Sequence, residues 1–287
     1  MKDFEDRFWS SRDGLKLHFR DYPGPGGSGR PAILCMHGLT RNARDFEQLA
    51  SRLAGRWRVI CPDLRGRGDS EYARDSASYV PPQYCEDILA LLDQEGVDRF
   101  VAIGTSLGGL MTLGLATTIC DRIAGVVIND VGPVLERAGL ARIKDYVGQG
   151  RSYPTWVHAA RGVEATHGVA HPGQPLDFWI TVAKRIMTLG SNGRIVFDYD
   201  MKIAEPFLAF DVDDMPDLWP AWEMLTDRPV LVVRGALSDL LSETTMDGML
   251  RRLPGAEGLT LPGVGHAPML DEPETLAAIE RLLARVG

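Results

Sequence analysis

Ser106 lies in a stretch of sequence that would make its hydroxyl accessible and reactive. A short apolar segment at 101–103 runs into GTSLG at 104–108, and an apolar, glycine-tolerant segment continues to about Ile119. This pattern predicts a strand, a tight turn and a helix, with glycines where larger side chains would collide. The helix would direct its first amides at the serine and favour negative charge there. Taken alone, the pattern also fits an ordinary turn between a strand and a helix.

The partners that a reactive serine needs come later in the chain. A serine hydroxyl requires a base within hydrogen-bond reach, and imidazole titrates near neutrality. His266 follows a predicted strand at 258–261, and Asp239 follows one at 230–233. A carboxylate beside the histidine would fix the imidazole tautomer and stabilise the imidazolium. Asp239 is the favoured carboxylate, and Asp130, at the end of the strand after the serine helix, is the alternative.

Composition limits the class of protein and of partner. The 287 residues are 45% hydrophobic and 24% charged, which is typical of a globular chain with a sizeable core. The net charge of −8 argues against nucleic acid or an anionic membrane as a partner, because those interfaces need clustered positive charge. Residues 1–10 lack the apolar core of a signal peptide. We therefore expect a soluble, cytoplasmic protein that acts on a small molecule.

Short apolar segments alternate with helical patterns through most of the chain. Strands are predicted at 32–36, 59–61, 101–103, 124–128, 229–234 and 257–261, and helices at 44–53, 82–95, 243–253 and 273–285. This order predicts an α/β protein with a mostly parallel sheet and helices on both faces. Ligands bind at the carboxyl ends of such strands. His37, Asp63, Ser106 and Asp130 each follow a predicted strand.

The first residues predict a β-hairpin, from two segments at 4–11 and 15–22 joined at Asp13-Gly14. In the second segment, apolar Leu17 and Phe19 flank His18, which is the alternation of a half-exposed strand. This alternation predicts that His18 is a solvent-exposed surface residue.

The alternation of strands and helices stops at 131–214, which we interpret as an inserted helical cap. The core is then formed by residues 1–130 and 215–287. The cap is rich in aromatic residues, and Trp156, Trp179 and Phe207 are candidates for the wall of a mostly apolar substrate pocket. Its histidines, His158, His167 and His171, are separated by glycine and proline breaks, so we expect no metal. No cofactor is expected either.

These motifs together resemble those of the α/β-hydrolase family over essentially the whole chain, the cap being the least distinctive part. They are HG at 37–38, PDLRGRGDS at 62–70, GTSLGG at 104–109, SD at 238–239 and GH at 265–266. The order Ser106, Asp239, His266 is the order of that family's catalytic triad. The resemblance implies an α/β-hydrolase fold and a serine nucleophile.

The resemblance also implies an oxyanion hole made of two backbone N–H groups. One belongs to Leu107, directly after the nucleophile, and the other to Leu39 in the loop after the strand at 32–36, with the adjacent Thr40 as an alternative. His37 would brace that loop. Asp63 and Arg65 would brace the backbone of the PDLRGRGDS loop.

The implied activity is hydrolysis of a small carboxylic ester, lactone or thioester through an acyl-serine intermediate. Ser106 departs from the aspartate nucleophile of epoxide hydrolases and haloalkane dehalogenases. Ala267 and Leu107 stand where carbon–carbon hydrolases and proline iminopeptidases, respectively, carry tryptophan. Carbon–carbon hydrolysis of a vinylogous diketone and cofactor-free perhydrolysis stay open as alternatives. A non-catalytic ligand receptor is a third, from a different class.

Overall fold

The computed structural model describes residues 3–26 and 29–286 and contains a central eight-stranded sheet. The strands are β1 (Glu5–Ser10), β2 (Lys16–Tyr22), β3 (Ala32–Met36), β4 (Val59–Pro62), β5 (Phe100–Thr105), β6 (Ile123–Asn129), β7 (Ser152–Tyr153), β8 (Met187–Leu189), β9 (Ile195–Phe197), β10 (Val230–Gly235) and β11 (Glu257–Leu261). The order in the central sheet is β1-β2-β4-β3-β5-β6-β10-β11. Strand β2 runs antiparallel to β1 and β4, and the other pairs are parallel.

Helices cover both faces of this sheet. In chain order, the α-helices of the described residues are α1 (Glu47–Leu53), α2 (Pro81–Gln94), α3 (Leu107–Ile119), α4 (Arg137–Lys144), α5 (Trp156–His167), α6 (Leu176–Ile186), α7 (Ala204–Ala209), α8 (Trp219–Glu223), α9 (Glu243–Arg252) and α10 (Pro273–Ala284). Helices α1 and α10 pack on one face, and α2, α3 and α9 pack on the other. The predicted fold class is therefore confirmed.

The inner strands are apolar throughout because both of their faces are covered. Every residue of β3, β4 and β6 is buried. Ile33 and Cys35 of β3 point to the core under α1 and α10. Leu34 and Met36 point to the opposite core. A continuous apolar run is the pattern expected for a strand buried on two sides, and it made these strands visible in the sequence.

The chain between β6 and β10 is less helical than the sequence predicted. It holds α4 to α8, but also a small antiparallel sheet in the order β7-β9-β8. These strands have two or three residues each, which is too short for a periodic pattern to reveal them. Helices α5 and α6 enclose a separate apolar cluster that contains Val163, Trp179 and Ile186.

The prediction that His18 is exposed is wrong, because its side chain is almost completely buried. This face of β2 is covered by the loop after β4, which carries Asp63, and by the Phe8 ring, whose centre lies 5.2 Å from that of His18. Its ring nitrogens are 2.7 Å from Asp63 and 3.1 Å from Asp6. Burial lowers the pKa of His18, but the hydrogen bonds to these carboxylates outweigh it and raise the pKa above its ordinary value. The histidine thus joins the first hairpin to the loop after β4.

Asp63 and Arg65 hold that loop in different ways. Asp63 accepts hydrogen bonds from the backbone N–H groups of Ala43 (2.6 Å) and Asp69 (3.1 Å). Arg65 has no exposed side-chain surface and forms two 2.7 Å hydrogen bonds with the equally buried Asp87. The sequence predicts that Arg65 braces the backbone, whereas in the structure it acts through a buried ion pair.

Replacing Arg65 by methionine should destabilise the protein strongly. The substitution leaves the buried Asp87 carboxylate without its charged partner, so we expect the free energy of unfolding to fall by about 3–5 kcal/mol. Urea denaturation measures this loss. The matched control is Arg12→Met, which removes an exposed ion pair with Glu86 and should cost about 1 kcal/mol or less. Equal losses in the two variants would contradict the assignment.

Candidate active site

Ser106 occupies the turn between β5 and α3 in a backbone conformation that few residues adopt. Its φ is 53° and its ψ is −114°. The flanking glycines leave no room for a side chain. A Cβ at Gly104 would lie 2.3 Å from the carbonyl oxygen of Gly108, and one at Gly108 would lie 2.0 Å from that of Met36. The strained turn therefore requires glycine at positions 104 and 108, on either side of the serine at its tip.

His266 connects Ser106 to a carboxylate. Its Nε2 lies 3.0 Å from the Ser106 Oγ, and its Nδ1 lies 2.8 Å from Oδ2 of Asp130. With the Nδ1–H donating to the Asp130 carboxylate, Nε2 is free to accept the serine proton. This continuous line of hydrogen bonds is the arrangement that nucleophilic serine chemistry requires.

The favoured sequence assignment, Asp239 as the partner of this histidine, is wrong, and the alternative Asp130 occupies that position. Asp130 directly follows β6 and is completely buried. Its Oδ1 accepts from the Gly235 N–H at 2.7 Å, and its Oδ2 also accepts from the Ser238 Oγ at 2.7 Å. The serine of the SD motif therefore contacts Asp130, and the aspartate of that motif is not the partner of His266.

Asp239 instead pairs with Arg142 of α4. The guanidinium donates to its two carboxylate oxygens at 2.5 and 2.8 Å. Burial raises the pKa of Asp239, but the hydrogen bonds and charge of Arg142 outweigh it and hold the pKa below its ordinary value. The Ser238 Oγ accepts from the N–H groups of Leu240 and Leu241, which forms a local turn beside Asp239. Side-chain direction in such a turn cannot be deduced from position in the sequence.

The loop after β3 is fixed by hydrogen bonds on both sides of Leu39. The His37 Nε2 accepts from the Leu64 N–H at 3.1 Å, and the His37 Nδ1 donates to the Gly38 carbonyl at 2.7 Å. Burial lowers the pKa of His37 to about 4, so the ring is neutral and braces the loop. Arg67 donates from Nε to the Leu39 carbonyl at 2.9 Å.

Of the two expected oxyanion donors, Leu39 lines the pocket at Ser106, and Leu107 directly follows Ser106 in the chain. Leu107 is the first residue of α3, so its N–H has no acceptor within the helix. The Leu39 N–H belongs to the same peptide as the Gly38 carbonyl, so the hydrogen bond from His37 to that carbonyl fixes the plane of this donor. That the N–H groups of Leu39 and Leu107 bind an oxyanion stays a prediction.

A pocket of about 90 Å³ lies at Ser106 and His266. Its other side chains include Leu39, Arg41, Asp45, Phe46, Ile143, Tyr146, His167, His171, Trp179, Val182, Arg185 and Met269. Of the three aromatic residues proposed for its wall, Trp179 borders it. Trp156 packs against the apolar cluster of α5 and α6 instead, and Phe207 packs against the main core.

The pocket also contains ionisable side chains that no sequence motif had assigned to it. Burial and the nearby Arg41 lower the pKa of His167 to about 3 and that of His171 to about 4, so both rings are neutral at pH 7. Arg41 forms hydrogen bonds of 2.6 and 2.8 Å with Asp45. Arg185 comes from the last turn of α6, where only its basic side chain, and no motif, marks it in the sequence.

Among the described residues, His18, Asp63 and Asp69 form a group that could in principle hold a metal ion. His18 and Asp63 are engaged with each other, and Asp63 also accepts from two backbone N–H groups. These hydrogen bonds hold the loop after β4 in place, which accounts for the closeness of the three side chains. His158 hydrogen bonds with Thr155 at the start of α5 and is not one of the pocket residues.

Comparisons with known proteins agree with this geometry. Residues 33–279 match the alpha/beta hydrolase family. A 3-hydroxybutyrate-oligomer hydrolase of Cupriavidus necator is 36% identical over 270 residues, which cover 91% of each chain. Esterase YbfF of Escherichia coli is 26% identical over 94% of this chain and 99% of its own. The crystal structure of an alpha/beta hydrolase from Novosphingobium aromaticivorans is 58% identical, with a TM-score of 0.95 over 100% of both chains.

The chain belongs to the alpha/beta hydrolase family. The predicted family is thus confirmed, and so is the predicted enzyme class, an alpha/beta hydrolase acting on ester bonds. Within the residues that the structure describes, no helix of this alpha/beta hydrolase combines the length and the apolar character needed to cross a membrane.

The two aspartates should respond differently to removal of their charge. We expect Asp130→Asn to lower kcat by about 10⁴-fold, because an amide cannot hold the histidine tautomer or stabilise the imidazolium. Asp239→Asn weakens a partly exposed ion pair with Arg142 and should leave kcat near the wild-type value. Steady-state turnover of a short nitrophenyl ester measures both variants. A large loss in Asp239→Asn with an active Asp130→Asn would reverse the assignment.

Proposed function

We propose that this protein is a serine hydrolase that cleaves a short carboxylic ester through an acyl-serine intermediate. Ser106 is the nucleophile, His266 the base and Asp130 the acid that orients it. The observation that carries the proposal is the line of hydrogen bonds from the Ser106 Oγ through both nitrogens of His266 to Asp130. Lactones and thioesters present the same acyl carbon and belong to the same proposal.

The reaction follows from the positions of these groups. The Ser106 Oγ bonds to the acyl carbon as its proton passes to Nε2 of His266, and the carbonyl electrons form an oxyanion. The N–H groups of Leu39 and Leu107 are the proposed donors to that oxyanion. Collapse of the intermediate breaks the bond to the leaving oxygen, which takes the proton from His266. Water then repeats the sequence on the acyl-serine and releases the acid.

We further propose that residues 131–214 act as a cap over this site. Support comes from α4, α5 and α6, each of which contributes side chains to the pocket that contains Ser106. A substrate would then be bound between the core and the cap, where water is largely excluded during acyl transfer. The ion pair from Arg142 of α4 to Asp239 connects the two parts beside the catalytic loops.

The size of the pocket favours a short substrate. Its volume of about 90 Å³ is well below the roughly 300–1,000 Å³ of pockets that hold drug-sized ligands. The relative from Cupriavidus necator is named for oligomers of 3-hydroxybutyrate, whose units are likewise small. We therefore propose esters of short-chain acids, including short hydroxy acids, as the substrate class.

Removal of the Ser106 hydroxyl should abolish turnover. We expect Ser106→Ala to lose hydrolysis of 4-nitrophenyl butyrate, because no nucleophile is left at the end of the hydrogen-bond line. A fluorophosphonate probe should label the wild type at Ser106, as located by peptide mass spectrometry, and should not label the variant.

The matched control is Ser10→Ala, which removes the hydroxyl of an exposed serine in β1 and should change neither turnover nor labelling. A Ser106→Ala protein that still hydrolyses the ester at the wild-type rate would refute the proposed mechanism.

A further inference from the structure

Arg185 is a buried cation on the wall of the pocket that contains Ser106. It lies in the last turn of α6, and 8% of its side chain is exposed. The pocket also contains Ser106 and His266, so a ligand held by Arg185 lies in the same small space as the reacting serine. A buried guanidinium needs acceptors for all of its N–H groups. The partners of Arg185 therefore show whether contacts within the chain account for its burial.

Only part of the guanidinium has a partner. Nη2 donates to Oδ2 of Asp271 at 3.2 Å. When the side-chain amide of Gln48 is oriented with its nitrogen towards Asp271, the nitrogen donates to Oδ2 of Asp271, and the amide oxygen accepts from Nη2 of Arg185 at 3.3 Å. Nη1 is buried and has no hydrogen-bond acceptor among the residues that the structure describes. Leaving a charged donor buried and unpaired is costly, which indicates that an acceptor is supplied from outside the chain.

The other cationic or basic groups of the pocket are less suited to bind an anion. Arg41 directs Nε and Nη2 to the carboxylate of Asp45, which largely neutralises it. His167 and His171 are neutral at pH 7 because burial and Arg41 depress their pKa values to about 3 and about 4. Arg185 is therefore the group in this pocket that offers a positively charged donor to a ligand.

A second arginine helps to separate ligand binding from packing. Arg67 also has one buried nitrogen, Nη2, without a partner among the described residues. Its guanidinium, however, lies 4.7 Å from the ring centre of Tyr84 and 5.7 Å from that of Tyr79, and it is not among the residues that line the pocket. The aromatic rings compensate Arg67. No ring contact of this kind is found for Arg185 within 3–26 and 29–286.

We propose that Arg185 binds a carboxylate of the substrate, so that this hydrolase prefers short esters that carry a free carboxylate. A carboxylate is the natural acceptor for a guanidinium, and one of its oxygens would meet the unpaired Nη1. The inference rests on the proposed ester hydrolysis at Ser106. The carboxylate can belong to the acid part, as in a half ester of a dicarboxylic acid, or to the alcohol part, as in a dimer of a hydroxy acid.

Two matched pairs of substrates test this preference and distinguish its two sources. For the acid part, the pair is mono-4-nitrophenyl glutarate and 4-nitrophenyl pentanoate. For the alcohol part, the pair is 4-acetoxybutanoate and its neutral amide, with acetate release followed by NMR. The measured quantity is the ratio of kcat/KM for the charged substrate to that for its neutral partner. In at least one pair, we expect Arg185→Met to reduce this ratio about tenfold or more, mainly through KM.

The control variant is Lys184→Met, because Lys184 is the neighbouring cation on α6 but its side chain is exposed. It should leave both ratios unchanged, whereas a general effect of positive charge on the substrate would lower them in both variants. Arg185→Lys keeps the charge but loses the planar fork, so it should give an intermediate ratio. Ratios in Arg185→Met that equal those of the wild type would overturn the inference while leaving the proposed ester hydrolysis intact.

Thermal denaturation tests the binding site without relying on turnover. Glutarate should raise the melting temperature of the wild type, and the neutral glutaramide should not. Arg185→Met should lose the difference between these two compounds. If no ester is hydrolysed but glutarate still stabilises the wild type through Arg185, the proposed reaction fails and the carboxylate site stands. If Arg185→Met does not fold, the test uses the wild type and Arg185→Lys, and compares the shifts in melting temperature that glutarate and glutaramide cause. Equal shifts from the two compounds in the wild type would refute the site.

Discussion

The arrangement of the active site depends on the hydrogen bonds that the buried carboxylate of Asp130 accepts. A carboxylate without solvent contact is costly unless its oxygens accept hydrogen bonds. Here the donors are the Gly235 N–H, the Ser238 hydroxyl and the His266 ring, which come from the end of β10, the following loop and the loop after β11. Satisfying one buried charge therefore aligns separate parts of the chain and orients the histidine towards Ser106.

The parallel sheet makes this convergence possible. Strand β6 lies between β5 and β10, so the residue after β6 sits between the serine turn and the loops of β10 and β11. Asn129, at the end of β6, strengthens the same junction, since its side-chain amide donates to the Pro268 carbonyl at 2.9 Å and to the Thr105 hydroxyl at 3.0 Å. The backbone N–H of Ser106 donates to the Asn129 carbonyl. The serine turn and the histidine loop are thus both anchored on β6.

Sequence patterns identified the elements better than the contacts between them. Apolar runs revealed the buried strands, and the glycines around Ser106 indicated a turn that only they can form. Asp239 was preferred to Asp130 because Ser106, Asp239 and His266 follow the order of the family's triad. Both aspartates follow strands and precede His266, however, and the sequence does not encode which side chain turns inwards. His18 was misjudged for a related reason: alternation suggests an exposed face, but the loop after β4 covers that face of β2. Arg185 carried no signal, since an arginine near the end of a helix is ordinary.

Substrate specificity was the hardest property to predict because the hydrogen-bonded serine, histidine and carboxylate come from one part of the chain and Arg185 comes from another. The serine, histidine and carboxylate all belong to loops that follow strands of the central sheet, so the sheet dictates their geometry. Arg185 shares the wall with four other aromatic or ionisable side chains from the chain between β6 and β10, which are Tyr146, His167, His171 and Trp179. The positions of these side chains depend on packing rather than on the strands of the central sheet. Arg185 also contacts Asp271, five residues beyond His266 along the chain. A carboxylate bound at Nη1 would therefore engage a cation already fixed to the histidine loop, which aligns the substrate with the same segment that carries the base.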